Sequence, residues 1–166
     1  MVHIILYHPE IPQNTGNILR TAMATNSMVH IIGPLPFELS DKSLKRAGMD
    51  YLLEAKYEYY DSYEEFKLKF ADKRIYYVTK YGTHVFSEVD FSDKSEDVYV
   101  MFGRESTGID KTILSENKEY TLRIPMLSTA RSLNLSNAVA VVTYEILRQQ
   151  KYPSLASFDM IHKYRI

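Results

Sequence analysis

Short apolar runs alternate with segments of helical periodicity along the chain, and this alternation limits the possible folds. Residues 2–7, 29–33, 74–79, 98–102 and 120–124 have the length and composition of buried strands. Helical patterns cover residues 15–25, 40–47 and 135–150, and Ser62 and Glu65 have the capping-box spacing that starts another helix. Because parallel strands need crossover connections, the alternation predicts an α/β fold with a mostly parallel sheet and helices on both faces.

The composition limits the chain to a few classes of protein. Its 166 residues, 45% hydrophobic and 25% charged, show no repeat or break in composition, so we expect one domain over residues 1–166. No apolar run approaches the roughly 18 residues of a membrane span, and residues 1–7 lack the features of a signal peptide. The absence of cysteine excludes disulfides, thiol nucleophiles and cysteine metal sites, and it is compatible with a cytoplasmic protein.

The charge balance bears on nucleic-acid binding. A net charge of −1 gives no overall attraction to a polyanion, so a nucleic acid would have to be bound by a local basic patch. Lys42, Lys45 and Arg46 are spaced for one face of the predicted helix 40–47. An ordinary solvated helix face explains this spacing equally well.

Three polar loops are expected at the carboxyl ends of strands, where ligands bind in parallel sheets. They comprise residues 8–20, 103–110 and 125–137. In the first loop, Asn14 or Thr15 is expected to cap the following helix, and Arg20 shares a helix face with Asn17. A capped helix with an exposed arginine explains this loop about as well as a functional site does.

The second loop, "FGRESTG", resembles a phosphate-binding loop only in its glycine spacing. Ile109 and Asp110 stand where the lysine and hydroxyl residue of an NTPase would be, and no GxGxxG dinucleotide fingerprint is present. The glycines would let a flat ligand approach the backbone beside Glu105, although a plain strand-to-helix turn is the simpler explanation of this loop alone.

The third loop leads into the helix predicted at residues 135–150. Ser132, Asn134, Ser136 and Asn137 supply more hydrogen-bonding groups than a helix start needs. The helix itself is apolar around most of its circumference, so we expect it to be central in the fold or in a subunit interface. Its polar N-terminus would then face a cleft.

The remaining polar and aromatic residues suggest no other chemistry. The sequence contains no G-x-S-x-G nucleophile elbow, and the five histidines have no metal-binding spacing, so we interpret them as surface or core residues. Tyr57, Tyr59 and Tyr60 are most simply half-buried strand residues, with stacking on RNA as the less favoured alternative.

Taken together and in order, the three loops resemble the motifs of the SpoU branch of the SPOUT RNA ribose methyltransferases. The first motif is Asn14-x-Gly16-Asn17-x-x-Arg20, and the second is Phe102-Gly103-x-Glu105-x-x-Gly108. The third is Ile124-Pro125-Met126 followed by Arg131-Ser132-Leu133-Asn134-Leu135-Ser136-Asn137-Ala138. The similarity extends from residue 1 to about residue 153, and the start "YHPEIPQNTGNILR" is similar to the minimal tRNA wobble-ribose methyltransferases of the TrmL (YibK) type.

The resemblance implies a C-terminal trefoil knot in the sheet, a rare exception to the usual rules of topology. It also implies S-adenosylmethionine as cofactor, a homodimer with the site near its interface, and the ribose 2′-hydroxyl of the wobble cytidine or uridine of tRNA as methyl acceptor. No metal is required. Residues 154–166 extend past the similar region and have no assigned role.

The resemblance also assigns roles to individual residues. Arg20 is the leading candidate to activate the 2′-hydroxyl or to orient a phosphate, and Asn14, Glu105, Ser132 and Asn134 would position it and the RNA backbone. The cofactor would lie on Val78, Thr79, Gly103, Ile124, Ser132 and Leu133, and a side chain at Gly103 is expected to block it. Lys42, Lys45, Arg46 and Arg131 would bind RNA. Arg104 stands where relatives often carry proline.

Two functions from other classes remain open at this point. A catalytically silent RNA-binding module would keep the basic surface and lose the cofactor pocket, but Arg20, Glu105 and Asn134 are intact. A dinucleotide-dependent oxidoreductase is disfavoured by the missing glycine fingerprint. Calorimetry with S-adenosylmethionine against NAD would separate the three.

Overall fold

A computed structural model describes residues 1–38 and 55–158 of the chain. The predicted helix 40–47, with Lys42, Lys45 and Arg46, lies outside these residues, as does the end of the chain from residue 159. Within the part described, no helix is both long enough and apolar enough to cross a bilayer.

Seven parallel strands form a single sheet. They are β1 (Val2–Tyr7), β2 (Met28–Ile32), β3 (Tyr57–Tyr60), β4 (Ile75–Val78), β5 (His84–Val85), β6 (Val98–Phe102) and β7 (Thr121–Arg123). Their order across the sheet is β3-β2-β1-β6-β4-β7-β5. The helices in the described parts of the chain are α1 (Pro12–Thr25), α2 (Tyr63–Lys69), α3 (Lys111–Glu116) and α4 (Leu135–Gln149), and Lys118–Tyr120 form a 3₁₀ turn.

The central strand β1 shows how the sheet is covered. Successive side chains of a strand point to opposite faces, and Ile4 and Ile5 accordingly belong to two separate apolar clusters. Residues of α1 and α4 complete the first cluster, whereas Phe66 of α2 and Ile113 of α3 belong to the second. This arrangement confirms the predicted α/β fold with helices on both faces. The trefoil knot stays a prediction.

The observed elements follow the predicted ones closely, with differences in the short segments. Strand ends shift by one residue. The helix start predicted at Ser62 is confirmed, since the Ser62 hydroxyl accepts a hydrogen bond from the Glu65 amide at 3.2 Å, while the Glu65 carboxylate accepts from the Asp61 amide at 2.7 Å. The sequence pattern did not predict β5, α3 or the 3₁₀ turn, because two to six residues are too few for a periodicity to be recognised.

Helix α1 begins earlier than predicted. Its first turn starts at Pro12, which needs no partner for a backbone N–H, and its N-cap Ile11 has no side-chain cap. The prediction that Asn14 or Thr15 caps this helix is therefore wrong, because both lie inside the helix and are buried.

The sequence pattern predicts that helix α4 is buried on several sides, and the structure shows which elements cover it. It packs on β1 and α1 within the same chain, and Val142 is 1% exposed in the core. Val142 is therefore buried by its own chain, and of the two positions expected for this helix, the central one in the fold is confirmed. Its neighbour Val141 and the nearby Tyr144 are 42% and 45% exposed, respectively.

Candidate active site

The three polar loops meet at one edge of the sheet. They follow β1, β6 and β7, and every strand of the sheet is parallel, so the carboxyl ends of these strands share that edge. Leu6 of β1 and Val78 of β4 both pair with Phe102, and Val78 also pairs with Leu122 of β7. The register therefore aligns the starts of the loops.

A relay of two hydrogen bonds joins all three loops. The amide nitrogen of Asn134 donates to Oδ1 of Asn14 at 3.0 Å, and Nδ2 of Asn14 donates to Oε1 of Glu105 at 2.9 Å. Asn14 is 5% exposed, so both of its polar atoms are satisfied inside the protein. Asn14 lies 91 positions from Glu105 and 120 positions from Asn134 in the sequence, and the three residues form one unit.

The direction of this relay is fixed at its Asn134 end. Asn134 is the N-cap of α4, and its Oδ1 accepts hydrogen bonds from the Ser136 amide at 2.9 Å and from the Ser136 hydroxyl at 2.7 Å. Its Nδ2 must therefore face Oδ1 of Asn14, which turns Nδ2 of Asn14 towards the Glu105 carboxylate. Of the polar residues that exceeded the needs of a helix cap, Asn134 and Ser136 orient this relay.

The Glu105 carboxylate supplies what α1 lacks at its start. It accepts hydrogen bonds from the backbone amides of Glu10 at 2.8 Å and Ile11 at 3.2 Å, in addition to that from Asn14. A negative charge is favourable at a helix N-terminus. Glu105 therefore anchors the start of α1 on the loop after β6.

Glu10 and Ser106 reinforce the same junction, although neither belongs to a sequence motif of the site. The Glu10 carboxylate accepts hydrogen bonds from the Ser106 amide at 2.9 Å and from its hydroxyl at 2.8 Å. Each of the two loops therefore supplies a carboxylate that accepts backbone hydrogen bonds from the other. Only the adjacency of Glu10 to the first motif and of Ser106 to Glu105 marked them in the sequence.

The glycines of the second loop are explained by the turn itself. The backbones of Arg104 and Gly108 exchange hydrogen bonds of 3.2 and 2.9 Å. A Cβ at Gly103 would lie 2.2 Å from the carbonyl carbon of Gly108, and Gly108 has a positive φ of 74°. A side chain at Gly103 would therefore collide with the protein's own backbone, which corrects the expectation that it would block only the cofactor.

Arg104 is bound into the base of this loop. Its Nη1 lies 3.5 Å from Oδ1 of Asp110, and its guanidinium lies 5.1 Å from the centre of the Tyr7 ring. The Tyr7 hydroxyl donates to Oδ2 of Asp110 at 2.5 Å. Burial, followed by the hydrogen bond to Asp110, raises the pKa of Tyr7 above its usual range. Arg104 thus has two structural partners, Asp110 and Tyr7, at the base of this loop.

The predicted cofactor residues are brought together only in part. Val78, Thr79, Gly103 and Ile124 lie at the carboxyl ends of the three adjacent strands β6, β4 and β7. Val78 and Ile124 are half-buried there. Ser132 and Leu133, in contrast, lie exposed on the loop that precedes α4.

Arg20 lies on a different side of α1 from the relay. It is exposed, as are Gln13 and Asn17 on the same helix face, whereas Asn14 points into the protein. Any action of Arg20 on a substrate must therefore come from the outer face of α1. Arg131 is exposed on the loop before α4.

Two of the histidines are core residues, as predicted. Nδ1 of His3 lies 2.8 Å from Nε2 of His30, and the other ring nitrogen of His30 lies 3.0 Å from the Tyr60 hydroxyl. His30 is 2% exposed, and burial, followed by the charge of His3, lowers its pKa to about 4. Among residues 1–38 and 55–158, no three His, Asp or Glu side chains are grouped to bind a metal ion.

Comparison with known proteins bears on the same three loops. The model of the SpoU rRNA methylase family matches residues 1–144, which include all of them. The chain belongs to the SpoU methylase family. A relative from Escherichia coli K12, named tRNA (cytidine(34)-2′-O)-methyltransferase, is 43% identical over 160 residues, covering 96% of this chain and all of the relative.

Solved structures extend this comparison. One solved structure is described as "Structural insights into the 2-OH methylation of C/U34 on tRNA". It is 41% identical to this chain with a TM-score of 0.83, and the alignment covers 91% of this chain and 97% of the other. The SpoU methyltransferase AviRb from Streptomyces viridochromogenes, in complex with the cofactor AdoMet, is 22% identical with a TM-score of 0.76. The alignment covers 93% of this chain and 58% of the AviRb chain. At this sequence identity, the similarity shows only that the two proteins share a fold.

Proposed function

We propose that this protein transfers a methyl group from S-adenosylmethionine to the 2′-oxygen of the wobble nucleotide, cytidine or uridine, in the anticodon loop of tRNA. The observation that carries the proposal is the relay from Asn134 through Asn14 to Glu105, which unites the three motifs of the family at one edge of the sheet. The name of the 43% identical relative supports the position on tRNA. An anticodon loop offers an unpaired nucleotide whose ribose a small enzyme can reach.

The residues at the ends of β4, β6 and β7 fit S-adenosylmethionine. Half-buried Val78 and Ile124 provide apolar surface for a flat adenine ring, and backbone groups near Thr79 and Gly103 can pair with its polar edge. When bound, the cofactor supplies an electrophilic methyl group on sulfur. Ser132 and Leu133 would complete the pocket from the loop before α4.

The chain's own groups act on the RNA. The 2′-oxygen would bond to the methyl carbon as the bond from that carbon to sulfur breaks, and the hydroxyl proton would pass to solvent water. A guanidinium stays protonated in proteins and is a poor base. Arg20 therefore orients a phosphate and stabilises the developing negative charge on oxygen. Asn14, Glu105 and Asn134 position the start of the helix that carries Arg20.

We further propose that the protein acts as a homodimer on cytoplasmic tRNA. Helices α1 and α4 pack side by side, and each presents an outer face, with Arg20 on one and Val141 and Tyr144 on the other. Exposed apolar side chains of this kind suit a subunit contact. Association through this surface would bring Arg20 near the interface. Both subunits would then contribute basic residues to RNA binding, namely Arg131, Lys42, Lys45 and Arg46.

Mass spectrometry of tRNA nucleosides from cells with and without the gene tests the proposal. We expect the wobble 2′-O-methyl group to be absent from at least one tRNA of the deleted strain and to return with the wild-type gene but not with Arg20→Ala. Identical wobble methylation in both strains would overturn the assignment of the substrate. Calorimetry that detects no binding of S-adenosylmethionine would favour a silent RNA-binding module instead.

A further inference from the structure

The turn between β4 and β5 is firmly attached to its neighbour β7. The Thr79 amide donates to the Leu122 carbonyl at 2.9 Å, and the Gly82 amide closes the turn on the Thr79 carbonyl at 3.1 Å. A Cβ at Gly82 would lie 2.3 Å from the backbone of Leu122. Gly82 therefore permits the turn to lie directly on β7, and the turn has little freedom to move.

This turn presents an aromatic ring to solvent. Tyr81 is 66% exposed, although its backbone amide is held by the Thr79 hydroxyl at 3.3 Å. The ammonium group of Lys80 lies 5.0 Å from the centre of the Tyr81 ring, and the Arg123 guanidinium donates a hydrogen bond to the Lys80 carbonyl. The result is a fixed backbone that carries an exposed ring, with the Lys80 ammonium beside the ring and the Arg123 guanidinium at the Lys80 carbonyl.

We propose that Tyr81 is a stacking platform for an unpaired base of the RNA substrate, with Lys80 and Arg123 contacting phosphates beside that base. The inference rests on the proposed function and adds an RNA-contact surface to it. Two observations support RNA as the occupant. The turn directly follows Thr79 at the edge where the methyl donor is expected, and its two cations complement phosphate on a chain whose net charge is −1.

The chemistry of single-stranded RNA recognition matches these groups. Unpaired bases of any identity stack on aromatic side chains, and nearby cations contact the phosphates of the RNA backbone. A rigid turn suits this role because little conformational entropy is lost when the base binds. An isolated surface tyrosine needs no explanation, but this one is combined with two cations and a backbone fixed on β7.

Three variants test the platform by steady-state kinetics on an unmodified tRNA transcript with cytidine at the wobble position. Tyr81→Ala is expected to raise the KM for this transcript about tenfold, in line with the loss of one stacked base, and to change kcat little. Tyr81→Phe keeps the ring and is expected to behave as the wild type. Tyr152→Ala removes an exposed tyrosine that follows α4 and serves as the matched control.

Transcripts with a single abasic nucleotide in the anticodon loop identify the stacked base. If Tyr81 stacks on one base, a transcript that lacks this base binds the wild-type protein about tenfold more weakly than the intact transcript does. Loss of the same base then has little further effect on binding to the Tyr81→Ala variant. Binding is measured directly, so this cycle is independent of catalysis. Wild-type protein that binds the transcript without methylating it would contradict the proposed function, and the cycle would still decide the role of Tyr81.

Three results would overturn the inference. The first is an unchanged KM and dissociation constant for the transcript in Tyr81→Ala. The second is an equal loss of S-adenosylmethionine affinity in calorimetry, which would place Tyr81 in the cofactor pocket. The third is a change in molecular mass by light scattering, which would make Tyr81 a contact between protein subunits.

Discussion

Asn14 donates its side-chain amide to Glu105 at 2.9 Å, and through this hydrogen bond the start of α1 is attached to the loop after β6. The same asparagine accepts from Asn134, the N-cap of α4. The geometry of three loops therefore depends on one buried side chain. This dependence predicts that small changes at Asn14 affect catalysis more than nearby changes on the helix surface.

The variant Asn14→Ala removes both hydrogen bonds and leaves Glu105 and Asn134 without this partner. We expect the free energy of unfolding to fall by about 1–3 kcal/mol, because buried polar groups lose a hydrogen bond. We expect methyl transfer to fall about 10²-fold, the usual effect of misplacing reacting groups. Chemical denaturation and single-turnover kinetics measure the two effects. Gln13→Ala, on the exposed neighbour, is the control, and equal effects of both variants would contradict the role of the relay.

Arg20→Ala separates an action on the RNA from an action on the cofactor. Because Arg20 lies on the outer face of α1, its removal should leave the affinity for S-adenosylmethionine unchanged in calorimetry. Turnover should fall by about 10²-fold or more, the scale of a lost oxyanion-stabilising group. Arg20→Lys should restore turnover only in part, because lysine lacks the planar fork of donors. Full activity of Arg20→Ala would refute this role.

Two adjacent valines distinguish the core from the proposed subunit interface. Val142→Asp puts an unpaired charge into the core, so we expect the free energy of unfolding to fall by about 3 kcal/mol or more. Val141→Asp places the same charge on the outer face of α4, so the fold should survive while the dimer dissociates. Circular dichroism and light scattering measure the two outcomes. If the Val141→Asp variant has the same molecular mass in light scattering as the wild-type dimer, the outer face of α4 does not belong to the subunit interface.

Two glycines of the second loop are needed for different reasons, and alanine variants separate them. At Gly108 only the positive φ opposes a side chain, so Gly108→Ala should destabilise the protein by about 1 kcal/mol. At Gly103 a Cβ meets backbone, so Gly103→Ala should cost about 2 kcal/mol or more, because the turn has to open. Denaturant unfolding of both variants measures the order. A Gly103→Ala variant as stable as the wild type would show that the turn yields easily.

The buried histidines predict that the protein is destabilised by mild acid. Since burial lowers the pKa of His30 from 6.5 to about 4, the unfolded chain binds more protons than the folded one between these values. Stability is therefore fully present above pH 6.5 and falls as the pH is lowered towards 4, by at most about 1.4 kcal/mol per pH unit from His30. Denaturant unfolding from pH 4 to 8 measures this slope, and an unchanged free energy between pH 6.5 and 5 would contradict it.

The sequence predicted the repeating parts of the fold and the residue types of the site, but few of the contacts. Periodicity identifies β1 and α4 because each has enough residues to bury one face, whereas β5 has only two residues. The capping prediction for Asn14 failed because the partner that competes for its side chain, Glu105, lies 91 residues away. Such long-range pairing leaves no local pattern, which is also why Glu10 and Ser106 were not selected.

The placement of Val142 shows the same limit. A helix that is apolar around most of its surface is buried on several sides, but the pattern does not tell whether its own chain or a second copy covers each side. Here the sheet and α1 cover Val142, while Val141 stays exposed. Arg20 was recognised from its motif, yet only the structure shows that it faces away from Asn14.

Methylation by the purified protein tests the central claim most directly. The wild-type protein is incubated with S-adenosylmethionine and an unmodified tRNA transcript carrying cytidine at the wobble position, and the digested RNA is mapped by mass spectrometry. We expect one methyl group per transcript, on the ribose of the wobble nucleotide, and none in a transcript whose wobble ribose is 2′-deoxy. A methyl group on a base, or no transfer by a protein that binds both S-adenosylmethionine and the transcript, would contradict the account.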